Sequence, residues 1–207
     1  MPEGLSTPMI IGIAVAALLG MLAVFVLFLI AVYNKLATGR NQYKNSYAQI
    51  DVQLKRRYDL IPNLVEMVKG YMAHEKDTLE AVISARNRAF GANQKAASNP
   101  GDPDTMKELG SAESQLGSSL SRLLAITEAY PDLKANQNMM QLQEELTSTE
   151  NKIGFARQAF NDAVTEFNNK RDVFPTVALA GMFGFTPAQL LEIESQQREA
   201  PKVSFGK

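Results

Sequence analysis

The most constraining feature of the sequence is a run of 25 residues without a charge, from Met9 to Tyr33. A helix crosses the hydrocarbon of a bilayer with about 20 apolar residues. We therefore expect residues 9–33 to form a transmembrane helix behind a short extracytoplasmic tail, residues 1–8. A cleaved signal peptide is the alternative. It is disfavoured because the tail has no basic residue, the apolar run is too long, and no cleavage site of small residues follows it.

The distribution of charge predicts the orientation of this helix. All 21 Lys and Arg residues follow the apolar run, as do all of the 22 acidic residues except Glu3. Because basic flanks stay in the cytoplasm, the N-terminus is expected outside and the C-terminal domain inside. The absence of cysteine agrees with a reducing compartment. The balance of charges after the run argues against nucleic acid as a partner.

The stretch that follows the helix, Lys35 to Arg57, has six basic residues against Asp51, a net charge of +5. Lys35, Arg40 and Lys44 are therefore candidates to face anionic lipid headgroups. Ordinary flanking of a membrane helix by positive charge explains the same residues, and both interpretations remain open.

Residues 34–185 are predicted to form an all-α domain, a long antiparallel, up-down helical bundle. Apolar residues recur at steps of three and four in segments 41–90, 105–130 and 133–171, which predicts three long helices. Pro62 lies in phase within the first segment and is expected to kink that helix without ending it. Residues 91–104 are expected to form a loop, with Asp104 as the N-cap of the second helix. In the third segment a seam of large residues repeats every seven positions, as in coiled coils: Met139, Leu146, Ile153, Phe160 and Phe167.

The segment from Val173 to Phe185 is almost entirely apolar but too short to span a bilayer. Three placements remain open: along the bundle, at the membrane surface, or between subunits. Residues 186–207 form a separate tail, for which we expect a short helix through about Arg198.

The sequence contains little that could support catalysis. His74 is the only histidine, there is no cysteine, and neither a phosphate-binding loop nor a dinucleotide-binding turn is present. The Glu-x-x-His pairs of di-iron bundles are also missing. We therefore expect a protein that is not an enzyme and has no cofactor, no metal site and no catalytic residue.

Arg57 stands out because it lies on an apolar row, between Leu54 and Ile61. A charge on a buried face needs an ionic partner, since an unpaired buried charge is very costly. Glu113 and Glu150 are the candidates for a buried ion pair with Arg57. The alternative is that the Arg57 side chain reaches solvent from the edge of the seam.

The anchor contains Gly12, Ala16, Gly20 and Ala23 at steps of four, four and three. Small residues on one face let transmembrane helices approach closely. These four residues are therefore oligomerisation candidates, although Gly and Ala are also common in anchors by chance.

Three long stretches resemble the bacterial LemA family. They are RRYDLIPNLVEMVKGYMAHE (56–75), AYPDLKANQNMMQLQEELTSTENKIGFARQAFNDAVTEFN (129–168) and FPTVALAGMFGF (174–185). The resemblance runs from the anchor to about Phe185. Met139, Met140 and Phe160 replace residues more frequent in the family, as packing substitutions of similar volume.

The resemblance implies a single-pass protein of the bacterial inner membrane with a cytoplasmic helical bundle and no established catalytic residue. LemA-like proteins are often encoded beside membrane-bound zinc proteases, and a magnetosome relative is tied to membrane invagination. We expect a scaffold that contacts the lipid bilayer, forms homo-oligomers and organises or shapes the membrane. The small-residue face of the anchor, the apolar segment from Val173 to Phe185 and the heptad seam favour this hypothesis, because all three suit contact between helices. The alternative is an accessory subunit for another membrane protein, such as a protease. An enzyme built around His74 is a third and weaker hypothesis.

Overall fold

A computed structural model describes residues 7–72 and 75–193 of the 207. No strand occurs in these described ranges, so the all-α prediction is confirmed. The helices of the described chain are α1 (Thr7–Lys69), α2 (Lys76–Ser98), α3 (Pro103–Thr127), α4 (Pro131–Lys134), α5 (Gln137–Asp172) and α6 (Thr176–Ala180).

Helix α1 is 63 residues long and joins the anchor to the bundle without a break. At about 1.5 Å per residue it reaches about 95 Å. It continues through Pro62, as the phase of the apolar row predicted. From Val32 onward the inner face of α1 is buried at steps of three and four, whereas almost all of the preceding anchor is exposed.

The bundle is built around α1, which packs along α5 on one side and α2 on the other, with α3 against α2. Successive long helices run antiparallel. Tyr47 of α1 forms a hydrogen bond with Asn93 of α2, and Tyr58 of α1 packs against Phe90 of α2. Residue numbers therefore increase along α1 as they decrease along α2, which shows that the two helices are antiparallel. The large heptad residues of α5 are all buried: Met139, Leu146, Ile153, Phe160 and Phe167.

The single helix predicted over residues 41–90 is wrong. Helix α1 ends at Lys69, and the chain reverses direction before α2 begins at Lys76. The apolar row does not reveal this reversal, because α1 and α2 both bury apolar residues in the same core and the helical spacing continues from one helix to the next. Just after α1, Tyr71 is 44% exposed and Met72 is buried. His74 lies outside the described residues.

The loop predicted over residues 91–104 is also largely wrong, because α2 continues to Ser98. Asp102, not Asp104, caps α3: its carboxylate accepts a hydrogen bond from the Thr105 amide at 3.0 Å. Pro103 takes the first helical position, where a proline costs no hydrogen bond.

The third predicted helix, 133–171, starts too early. A single turn, α4, comes first, and α5 then begins after Asn136, whose side chain accepts from the Asn138 and Met139 amides. The short helix expected after Thr186 is absent from the part of the tail that the structure describes, 186–193. Its remaining predicted turns lie outside the described residues.

Candidate functional site

The structure brings Arg57, Glu113 and Glu150 together from α1, α3 and α5. The Arg57 guanidinium forms an ion pair with the Glu113 carboxylate, and these residues are 4% and 2% exposed. On its other side Arg57 Nη1 donates to Glu150 Oε2 at 2.5 Å. The Glu150 side chain is largely exposed, so the network runs from the core to the surface.

Two buried tyrosines extend this network to α2. The Tyr58 hydroxyl donates to the Glu113 carboxylate and lies 3.2 Å from the Ala89 carbonyl oxygen. About three helical turns closer to the membrane, the Tyr47 hydroxyl donates to Asn93 Oδ1 at 2.8 Å. The Asn93 amide in turn donates to Asp51 at 2.7 Å. All four long helices of the described chain therefore contribute to buried or half-buried polar contacts.

Burial raises the pKa of both hydroxyls, and nearby charges modify this effect. For Tyr47 the Asp51 carboxylate raises the pKa further, while for Tyr58 the Arg57 guanidinium lowers it somewhat. Both tyrosines are therefore neutral at physiological pH, and Arg57 is always charged. In the described ranges no group of three His, Cys, Asp or Glu residues is placed to hold a metal ion. The cluster aligns the four long helices with one another.

The basic residues behind the anchor separate into two groups. Lys35 and Lys44 are exposed, whereas Arg40 is half-buried with its guanidinium 4.8 Å from the centre of the Phe185 ring. The remaining three form ion pairs with acidic residues of the domain: Lys55 with Asp51, Arg56 with Glu145, and Arg57 with Glu113 and Glu150. Of the three candidates to face lipid headgroups, Lys35 and Lys44 are therefore exposed and Arg40 is partly covered by the domain.

The small residues of the anchor share one uncovered face. At 100° per residue, Gly12, Ala16, Gly20 and Ala23 fall within an arc of about 80°. All four are exposed, and no described atom lies within 4 Å of a Cβ added at either glycine. The same rotation puts the buried Leu36 on about the opposite side of α1. The small-residue face therefore points away from the bundle.

An extended segment that the sequence did not reveal lies along α5. We call residues 185–193 the strap. Asn168 exchanges two hydrogen bonds with the backbone of Ala188, at 2.8 and 2.9 Å, and Asn161 does the same with Leu191, at 3.2 and 2.9 Å. Seven residues of helix rise about 10.5 Å and three extended residues span about 10 Å, so the two repeats match.

Further contacts hold the strap at both ends. Arg171 Nε donates to the Phe185 carbonyl oxygen at 2.9 Å, and the backbone N–H of Gln189 donates to the Gly101 carbonyl oxygen at 2.8 Å. Gly110 on α3 lies directly against the Glu192 carbonyl. The signal in the sequence was the pair Asn161 and Asn168, each one residue after a core phenylalanine.

The apolar segment before the strap packs against the bundle on one side. Thr176 and Ala180 are buried, as is Phe185 at the start of the strap, and α6 contacts both α1 and α5. Its opposite side is exposed and apolar. Packing along the bundle, one of the three placements that the sequence left open, therefore accounts for only one side of this segment.

A long apolar helix that continues into an antiparallel bundle defines a class of membrane-anchored helical proteins. In the described chain, α1 holds the one stretch that is long and apolar enough to cross a membrane. The sequence model of the LemA family matches residues 46–205, and the chain belongs to this family.

Named relatives agree with this assignment at low identity. Magnetosome protein MamQ of Magnetospirillum gryphiswaldense is 25% identical over 187 residues, which cover 80% of this chain and 69% of the relative. Magnetosome protein MamQ 1 of Paramagnetospirillum magneticum is 22% identical over 183 residues, or 81% and 67%. Protein LemA of Metamycoplasma hominis is 27% identical over 147 residues, or 71% and 63%. The chain thus matches about two thirds of the length of these relatives. Its family and its long apolar helix make it a membrane-associated protein.

Proposed function

We propose that the protein is a non-enzymatic scaffold of the bacterial inner membrane that self-associates through the outer face of α1. The N-terminus lies outside and the bundle in the cytoplasm. The observation that carries the proposal is that one face of α1 stays exposed from the anchor into the middle of the bundle. Beyond the small residues of the anchor, that face continues through Asn34, Asn41, Asn45, Ala48 and Val52.

The shape of this face suits contact between two copies. Chains inserted in the same orientation place their α1 helices parallel, so that a twofold axis along the membrane normal brings equivalent residues together. Gly12 and Gly20 let the backbones approach within the bilayer. Because the rest of each bundle lies on the far side of α1, the two bundles do not collide.

The proposal extends to organising or shaping the membrane that α1 crosses, and the relatives named magnetosome proteins agree with a membrane-associated role. Self-association along a 63-residue helix would hold neighbouring chains in a defined orientation. That arrangement is a means by which a protein without catalytic groups can act on a membrane.

Cross-linking in native membranes tests the proposal, and the absence of cysteine allows single-cysteine variants. Ala16→Cys and Ala48→Cys should give disulfide-linked dimers under mild oxidation. Ala14→Cys, on the opposite side of the anchor, is the matched control and should give few. Adding Gly20→Leu should reduce dimers of Ala48→Cys severalfold, because a bulky side chain separates the anchors. A protein that is monomeric in membranes and in mild detergent would refute self-association.

An accessory subunit for another membrane protein, such as a membrane-bound protease, is the second candidate. The observation that favours it is an apolar groove between the end of α1 and the start of α2, about 920 Å³ in volume. Val65, Leu79 and Ile83 line it together with basic residues. Purification of the full chain with one stoichiometric membrane protein, lost on Ile83→Glu and kept on Phe155→Glu, would support this function. Homodimers cross-linked through α1 without such a partner would favour the scaffold.

A further inference from the structure

The segment between α5 and the strap lies against the end of the anchor. We call residues 173–184 the cap. The Tyr33 ring packs edge-on against Phe183 of the cap at 5.5 Å between centroids and against Phe185 at 5.6 Å. Val32 is buried and Leu29 is half-buried, although both belong to the uncharged run. The cap therefore covers one side of the last turns of the anchor.

The length of the anchor sets the depth of the cap. The run from Met9 to Tyr33 rises about 36 Å, whereas the hydrocarbon core of a bilayer is about 30 Å thick. Tyr33 therefore lies within about 6 Å of the hydrocarbon boundary if the run spans the core. The cap, in contact with Tyr33, lies at the same level.

The side of the cap that faces away from the bundle is apolar and exposed. Phe174 is 85% and Met182 80% exposed, and Val173 and Val177 are also exposed. No charged residue occurs between Val173 and Leu191 in the sequence. Transfer of such side chains from water to an apolar phase is favourable.

Two basic residues lie near the cap: Lys35 is exposed two residues beyond the anchor, and Arg40 lies over Phe185 at the base of the cap. The exposed Asp172 carboxylate, immediately before the cap, pairs with Arg171. An uncharged apolar surface with basic neighbours is typical of segments that lie in the interface of an anionic membrane.

We propose that the cap inserts Phe174 and Met182 into the cytoplasmic interface of the same bilayer that α1 crosses. The lipid surface is the occupant of this face because the cap continues the protein surface formed by the anchor at the same depth. A single copy of the chain makes this contact, so the proposal goes beyond self-association. Attachment at the anchor and at the cap together would restrict the tilt and rotation of the bundle relative to the membrane.

Depth-dependent fluorescence quenching in the full-length protein tests the proposal. Phe174→Cys and Met182→Cys are each labelled with an environment-sensitive fluorophore and reconstituted into phosphatidylcholine–phosphatidylglycerol vesicles. Phe155→Cys is the matched control, since Phe155 is an equally exposed apolar residue on α5. Val26→Cys, within the anchor, reports a site inside the bilayer. Far-UV circular dichroism verifies that each labelled variant keeps its helices.

Labels at the cap should be quenched by a nitroxide attached near the lipid headgroup, and at least threefold less than the Phe155 label by aqueous iodide. If iodide and lipid nitroxide act on the cap labels as they do on the Phe155 label, the cap is in water and the proposal is overturned. Protection from both quenchers would also overturn it, because the face would then be covered by protein.

Discussion

Arg57 of α1 and Glu113 of α3 form an ion pair inside the bundle, in which both side chains are almost completely buried. The pair joins two helices that are far apart in sequence. Glu113 also accepts a hydrogen bond from the Tyr58 hydroxyl, and Arg57 also forms an ion pair with Glu150. Each charge therefore has partners that set its position, and the loss of either leaves the other buried without its counter-charge.

Replacing the arginine tests this dependence. Arg57→Ala should lower the free energy of unfolding by about 3–5 kcal/mol, because the Glu113 carboxylate would remain buried and uncompensated. Chemical denaturation of the detergent-solubilised protein, followed by circular dichroism, measures the change. Arg56→Ala is the matched control: Arg56 forms an exposed pair with Glu145 at 3.2 Å, and its loss should cost at most about 1 kcal/mol. Equal denaturation midpoints for the two variants would exclude a buried ion pair.

Stability should fall at alkaline pH. Burial raises the pKa of Tyr47 and Tyr58 in the folded protein, so both keep their protons above pH 10, where the unfolded chain releases them. This contribution to stability is complete below the unfolded pKa of about 10. Above it, the free energy of unfolding should fall by about 1.4 kcal/mol per pH unit for each tyrosine. Denaturation between pH 9 and 11 measures the slope, which Tyr47→Phe should reduce; Tyr43, whose pKa burial also raises, still contributes to it in this variant. A slope that this variant leaves unchanged would contradict the assignment.

The paired hydrogen bonds of Asn161 and Asn168 should control opening of the strap. Asn168→Ala removes two hydrogen bonds to Ala188, worth about 1 kcal/mol each. Amide exchange at Ala188 should therefore accelerate roughly tenfold or more. Hydrogen–deuterium exchange of the full chain reads this directly. Asn169→Ala, at an exposed neighbouring position, should leave exchange at the strap unchanged. Unaltered protection in Asn168→Ala would show that other contacts hold the strap.

Two glycines of α3 should respond to the same substitution with opposite signs. A methyl group at Gly110 would collide with the Glu192 carbonyl oxygen, so Gly110→Ala should displace the end of the strap and destabilise the protein. Gly117 has no described atom within 4 Å of an added Cβ. Gly117→Ala should therefore stabilise the protein by about 0.5–1 kcal/mol, the usual gain in a helix. Thermal melts of both variants measure the difference, and equal shifts would contradict the close approach at Gly110.

Helix boundaries were difficult to predict even where a local capping signal exists. Asn136 and Asp102 end up as N-caps because their side chains reach nearby amides. More than one Asp or Asn residue lies near the start of α3 and of α5, and the sequence alone did not distinguish Asp102 from Asp104. The reversal between Lys69 and Lys76 was missed for a different reason: both halves bury apolar residues with helical spacing, and periodicity does not record a change of direction.

The sequence by itself determined the anchor, the all-α architecture and the buried faces of the long helices. These properties depend on hydropathy and on the spacing of apolar residues along a single segment. Arg57 was recognisable as a charge on a buried face for the same reason.

Only the tertiary structure decided that Glu113 is the buried partner of Arg57, that Asn161 and Asn168 hold the strap, and that the cap lies beside Tyr33. Each of these depends on the packing of segments that are distant in sequence, and the pattern within one helix does not specify which distant residue it will meet.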